Sequence, residues 1–277
     1  MDHHTSHGKL NLETHRAPVS VWDRRGWDGT REQLTMMRWL VGLGGGALAL
    51  QGIRQRSIAG GILAGLGEGK VWIDMSTVSP QKSSELAERT RAQGAWMLDA
   101  PVSGSVPQVQ AGTLTIMVGG DEGAYRRVEP LLRELGTPNY VGANGQGLAL
   151  KLAINISLAV QMLAFAEGLL LAERSGVDRQ RALDVMEASP IGSPMLRARA
   201  SIILDPPEEA WFDLRFMHKD IELALDAARS LEIPLPTAER ADEVLEQAVA
   251  LGYERRDLAA LFQALEQIAG GDSPREG

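Results

Sequence analysis

Gly145-Gln146-Gly147-Leu148-Ala149-Leu150-Lys151-Leu152-Ala153-Ile154-Asn155 opens a long apolar run that continues to about Ser175. From Leu148 to Leu171 it is nearly all Leu, Ala, Ile, Val, Met and Phe, so a helix is predicted and its one Lys and the Asn that follows need an explanation. At i and i+4 the two share a face. An ammonium among apolar side chains is costly unless it is paired, deprotonated or used, and desolvation lowers a Lys pKa toward the range of acid–base chemistry. The plainer alternative is a Lys that snorkels to water while Asn155 bonds a neighbouring backbone group. The helix alone leaves both readings open. Its length would cross a bilayer, but Lys151, Asn155, Gln161 and Glu167 recur at intervals that hydrocarbon penalises. A buried helix in a helical domain is therefore expected, with no membrane partner.

Upstream of this helix, strand and helix patterns alternate. Val71–Asp74 reads as a short strand, followed by Ser79 as N-cap, Pro80 at the first helical position and an amphipathic helix over 85–93. Strands follow at 95–99, 114–119 and 139–141, with a helix capped by Gly120-Asp121 that runs to Leu135. Ala100 to Ser105 reads as a loop at a strand's carboxyl end. The alternation predicts an α/β sheet, whose ligands gather at such ends. Ser76, Thr77, Ser103 and Gly104 are thereby placed where a site would form. Gly104 lets backbone approach a ligand, and its N–H with the Ser103 hydroxyl suits a carboxylate.

Downstream no strand pattern remains. Helices are expected at 148–175, 178–188, 211–231, 237–250 and 257–268, separated by prolines. The division predicted is an α/β domain over 1–144, irregular before residue 62, and an all-helical domain over 145–277. Within the helix at 211–231, His218-Lys219-Asp220 by itself reads as a charged pair on a solvated surface.

Composition narrows the class. The 277 residues carry a formal charge of −8 with a pI near 5.2 and no clustered Lys/Arg excess, which argues against a nucleic-acid surface. With no Cys, disulfides and thiolate metal sites are excluded, in keeping with a reducing cytoplasm. His3, His4 and His7 read as part of an unstructured leader rather than a metal site.

Five blocks read together are more specific than any one of them: Asp74-Met-Ser76-Thr77-Val-Ser-Pro80, Asp99-Ala-Pro-Val-Ser103-Gly104, Gly112-Thr-Leu-Thr-Ile-Met-Val-Gly-Gly120, Gly145-x-Gly147-x3-Lys151-x3-Asn155 and His218-Lys219-Asp220. In this order, over residues 62–269, they resemble the β-hydroxyacid dehydrogenase family, which includes 3-hydroxyisobutyrate dehydrogenase and is related to 6-phosphogluconate dehydrogenase. The resemblance implies an α/β Rossmann-like N-terminal domain, here incomplete, followed by an all-α C-terminal domain that also mediates dimerisation. It further implies an NAD(P)-dependent oxidoreductase acting on a small β-hydroxyacid or its semialdehyde, as a homodimer or homotetramer. By likeness Lys151 is the acid/base and Asn155 orients it or the substrate. Ser103 and Gly104 hold the substrate carboxylate, Ser76 and Thr77 lie at the nicotinamide, and Lys219 contacts the cofactor. Imine reductases share the plan but usually lack a Lys at this place, so Lys151 favours the hydroxyacid branch.

The beginning departs from the family. No strand with a glycine-rich turn opens the chain; Asn11-Leu12 and Val19–Arg24 resemble the end of the family's first helix and its second strand. Arg24 and Arg25 suit a 2′-phosphate, which inclines the cofactor from NAD toward NADP. Residues 38–60 resemble nothing in the family. Gly42-Leu-Gly44-Gly-Gly46-Ala47 superficially matches a dinucleotide turn but lacks the following strand and acid that such a turn requires. The alternative function is a defective relic whose helical domain still dimerises.

Overall fold

The computed structural model describes residues 58–270. The Val19–Arg24 stretch that resembles the family's second strand, Arg25 and the glycine run at 42–47 lie outside them. Ile58–Gly65 forms α1, an apolar helix in a contact unit separate from the one that begins at Leu66.

From Leu66 onward the expected alternation is present. Strand β1 (Val71–Asp74) leads into α2 (Pro80–Arg91), whose first turn is closed by the Ser79 hydroxyl accepting from Lys82 N. Strand β2 (Trp96–Asp99) pairs parallel with β1, from Val71↔Trp96 to Asp74↔Asp99. Strand β4 (Leu114–Gly120) runs antiparallel to β2, and β5 (Gly136–Gly142) pairs parallel with β4. Between β4 and β5, α4 (Glu122–Arg133) starts where the Asp121 carboxylate accepts from Ala124 N. Leu98, Ile116, Val118, Ala124 and Leu132 form the core on which sheet and helix meet.

The segment read as a loop after Asp99 is structured. Val102–Ser103 forms β3, a two-residue strand that continues the antiparallel register against β4 (Val102↔Ile116, Ser103↔Thr115) after a bend at Ala100-Pro101. Val106–Ala111 forms the six-residue helix α3, with the Gln108 side chain accepting from Ser105 N at its start. Neither element is long enough to show a period, and β3 exists because β4 lies beside it.

The remainder is helical. Helix α5 (Gln146–Arg174, 29 residues) is followed by α6 (Arg179–Ala188), α7 (Pro194–Leu204), α8 (Leu214–Ser230), α9 (Pro236–Ala248) and α10 (Leu261–Ile268). Helix α7 was not expected from the sequence. Its start signal, Ser193 accepting from Leu196 N with Pro194 at the first position, was hidden among neighbouring prolines. Helix α8 begins three residues later than expected, at its Asp213 cap, and a 3₁₀ turn (Leu258–Ala260) precedes α10. Among the described residues α5 alone is long and apolar enough, by length and composition, to cross a membrane. Its buried side chains, including Ala159, Met162, Phe165, Ala166 and Leu169, pack with Leu183, Leu196, Met217, Ile221, Leu245 and Phe262 in a core of helices.

Candidate active site

Helices α5 and α8 pack on each other and bring together four polar side chains from two sequence blocks. Asn155, one turn beyond Lys151, is 1% exposed. It lies on the same face as Leu148, Leu152 and Ala159, so the packing that buries those residues buries its amide. Across from it, α8 turns Leu214, Met217, Ile221, Ala224 and Leu225 inward, and Asp220 stands within this apolar stripe, 2% exposed. Asn155 Nδ2 donates to Asp220 Oδ2 at 2.6 Å.

The other carboxylate oxygen, Asp220 Oδ1, meets Lys219 Nζ at 2.7 Å as an ion pair, without the alignment of a hydrogen bond. Lys219 Nζ donates to the carbonyl of Thr77 at 2.7 Å. Thr77 lies in the loop at the carboxyl end of β1, where Ser76 donates both its N–H and its hydroxyl to Asp74 Oδ1, at 3.1 and 2.7 Å. One ammonium thus ties the β1 loop to α8. Reading Lys219 and Asp220 as a solvated surface pair is corrected here: Lys219 is partly exposed, but its partner is buried because it sits on the apolar face of its helix. That placement was open to inspection in the sequence, since Asp220 falls at the i+3 position from Met217 and beside Ile221.

Lys151 is half-buried, and its electrostatic neighbours are these same groups. Burial lowers its pKa below the ordinary value of a lysine; the Asp220 carboxylate works against this, and the Lys219 ammonium reinforces it. Asn155 bonds the Asp220 carboxylate rather than a neighbouring backbone group.

Ser103 ends β3, a strand that adjoins α5, and Gly104 follows it. Gly104 adopts φ +135°, and a Cβ there would stand 2.7 Å from Leu114 Cδ2 and 2.9 Å from Gln108 Cβ. Only glycine fits this position. The next residue, Ser105, donates its hydroxyl to the carbonyl of Trp211 at 3.1 Å, linking this loop to the segment ahead of α8. That segment is itself fixed by buried Asp257, whose Oδ2 accepts from the N–H groups of Trp211 and Phe212 and whose Oδ1 lies 3.5 Å from Arg199 Nε. Sequence reasoning assigned no role to Asp220 or Asp257. Among the described residues no group of three or more His, Asp or Glu is placed to hold a metal ion.

Two family models meet at the start of α5. The NAD-binding domain of 6-phosphogluconate dehydrogenase matches residues 51–145, and the NAD-binding region of NADP-dependent 3-hydroxyisobutyrate dehydrogenase matches 145–265. A 2-hydroxy-3-oxopropionate reductase of Escherichia coli (strain K12) is 36% identical over 73% of this chain and 70% of its own length. The chain belongs to the β-hydroxyacid dehydrogenase family. A 2-(hydroxymethyl)glutarate dehydrogenase of Eubacterium barkeri is 34% identical over 76% of this chain and 71% of that protein. The solved structure of Mycobacterium tuberculosis 3-hydroxyisobutyrate dehydrogenase with L-serine superposes with a TM-score of 0.66 at 31% identity, covering 73% of this chain and 72% of the other. The first family model begins at residue 51, somewhat upstream of residue 62, where the sequence blocks become readable.

Proposed function

We propose that this chain is an NAD(P)-dependent oxidoreductase that interconverts a small β-hydroxyacid and its semialdehyde, with Lys151 as general acid/base. The observation that carries this reading is Lys151 itself: a half-buried lysine one helical turn from buried Asn155, which bonds the buried Asp220 carboxylate, with Asp220 and Lys219 as its charged neighbours and its pKa lowered by burial. The residues fit a nicotinamide cofactor. The β1 loop with Ser76 and Thr77 lies under the reach of Lys219, and Asp220 Oδ1 is a buried acceptor with no hydrogen-bond donor. The cofactor, when bound, supplies the carbon that takes or gives the hydride.

The protein's own work is to hold and move a proton. In reduction the Lys151 ammonium donates to the carbonyl oxygen; in oxidation the neutral amine accepts the hydroxyl proton. Asn155, fixed on Asp220 and one helical turn from Lys151, orients substrate or Lys151. The Gly104 N–H and Ser103 hydroxyl hold the substrate carboxylate, and Lys219 serves the cofactor. The same reading divides the chain at residues 144/145 into a Rossmann-like cofactor domain and a helical domain. NADP is preferred to NAD on the strength of Arg24 and its neighbour Arg25. A homodimer or homotetramer is supported by exposed Leu171, Val185 and Ile191 in the helical part. The absence of Cys accords with the cytoplasm, and the acidic charge with an enzyme that binds neither nucleic acid nor membrane.

Purified protein titrated with NADH and NADPH, then assayed on a panel of small β-hydroxyacids and semialdehydes, tests this. Turnover is expected in wild type and lost in Lys151→Ala with cofactor affinity little changed. Full turnover by that variant would remove Lys151 from its role.

A further inference from the structure

We infer that Asp99 is a positioning residue of the reaction, which sets the height of Lys151 relative to the substrate-carboxylate loop. The inference rests on the function proposed above. Asp99 ends β2 and is 0% exposed. Its partners are the first amides of α5: Gly145 N donates to Oδ1 at 2.8 Å and Leu148 N to Oδ2 at 3.1 Å, with the Asn144 amide 3.5 Å from Oδ1. A helix start leaves such N–H groups without internal partners, and a residue at the N-cap usually satisfies them. The N-cap here is Gly145, which has no side chain, so a carboxylate from another strand takes its place. Among the described residues no cation pairs with Asp99. Its charge is met by amides and by the positive end of the helix dipole.

Two glycines make room for this arrangement. A Cβ at Gly147 would lie 2.8 Å from Asp99 Oδ2 and 2.6 Å from Met117 O; one at Gly119 would lie 2.8 Å from Asp99 Oδ2 and 2.6 Å from Ala143 O. The helix start is therefore seated directly on the sheet, with the carboxylate between them.

What the carboxylate joins gives it a bearing on the chemistry. Leu148, which it holds, precedes Lys151 by less than one helical turn, about 4.5 Å of rise. In the other direction the chain leaves Asp99 through Ala100-Pro101 into β3 and reaches Ser103 and Gly104. One side chain is thus the joint between the carrier of the acid/base and the carrier of the substrate anchor. Asn at this position has a single acceptor oxygen, so one of the two backbone N–H groups would face an NH₂ and the helix start must shift. A misplacement near 1 Å costs on the order of a hundredfold in rate.

The test is Asp99→Asn, read by kcat, KM, NADPH dissociation constant and the primary deuterium isotope effect with deuterated NADPH. Expected is a fall in kcat of about ten- to hundredfold, an NADPH dissociation constant within about threefold of wild type, and a larger isotope effect because hydride transfer becomes more rate-limiting. Unchanged kcat overturns the proposal, as does a loss of NADPH binding equal to the loss of kcat, which marks general collapse. If Asp99→Asn does not accumulate folded, Asn144→Ala decides: it removes the amide that braces Asp99 and bonds Met97 O at 2.8 Å. There a lower kcat with unchanged NADPH affinity supports the assignment and unchanged kcat refutes it. Failure of the underlying reading is distinguishable, because it shows as wild-type protein without turnover or as an active Lys151→Ala.

Discussion

Asn155 donates its amide to Asp220 Oδ2 across 2.6 Å, and both side chains are buried between α5 and α8. A buried carboxylate of this kind needs partners on every side, because an unpaired one would carry a large desolvation cost. Asn155 and Lys219 fill two of them, and the charge of Asp220 is also what resists the lowering of the Lys151 pKa.

Asp220→Asn keeps the shape and removes the charge. Without the carboxylate, burial and Lys219 act unopposed and the Lys151 pKa falls further. Reduction needs the ammonium, so its decline with rising pH should move to lower pH. The pH profile of kcat/KM checks this; an inflection at the wild-type position would contradict it.

Lys151→Met should abolish turnover and raise stability. The folded-state pKa of Lys151 lies below its unfolded value, so between the two the unfolded chain holds the extra proton and stability rises with pH through that window. Below that window the folded state bears the cost of the buried ammonium. Replacing it by an apolar side chain should raise Tm by about 2–4 °C, equivalent to ~1 kcal/mol for a chain of this size. A lower Tm would mean that Asp220 gains more from Lys151 than burial costs.

Gly104→Ala places a methyl against Leu114 and Gln108 at a backbone angle that alanine rarely adopts. A loss of about 1–3 kcal/mol of stability is expected, with a several-fold rise in KM for the carboxylate substrate and less effect on NADPH affinity. Denaturant titration and steady-state kinetics separate the two effects.

Lys219→Ala removes the bond to Thr77 O and the ion pair with Asp220. Freed from this tie, the β1 loop should bind cofactor less well, with the NADPH dissociation constant raised by roughly tenfold. Fluorescence titration of NADPH measures it, and an unchanged constant would detach Lys219 from the cofactor.

Much of this site was legible in the sequence because its residues carry local signals. Ser79-Pro80 and Asp121 cap helices as their types require, and the lone Lys151 in an apolar run announced itself. What escaped notice depends on contacts across the chain. Val102–Ser103 is a strand only because β4 offers it a register, and Asp220 becomes a buried hub only where α8 meets α5. Asp99 stands within a recognisable motif, yet its bond to a helix start 46 residues away cannot be read from spacing.

The 29-residue helix α5 touches β2, β3, β4 and β5 near its start and supplies Ala159, Met162, Phe165 and Leu169 to the helical core farther along. A beam shared by two cores couples their melting: the helical half cannot lose its central member without unseating the sheet. Calorimetry should therefore record one endotherm for residues 66–270, with equal van't Hoff and calorimetric enthalpies, and two resolved transitions would show the halves to be thermally independent.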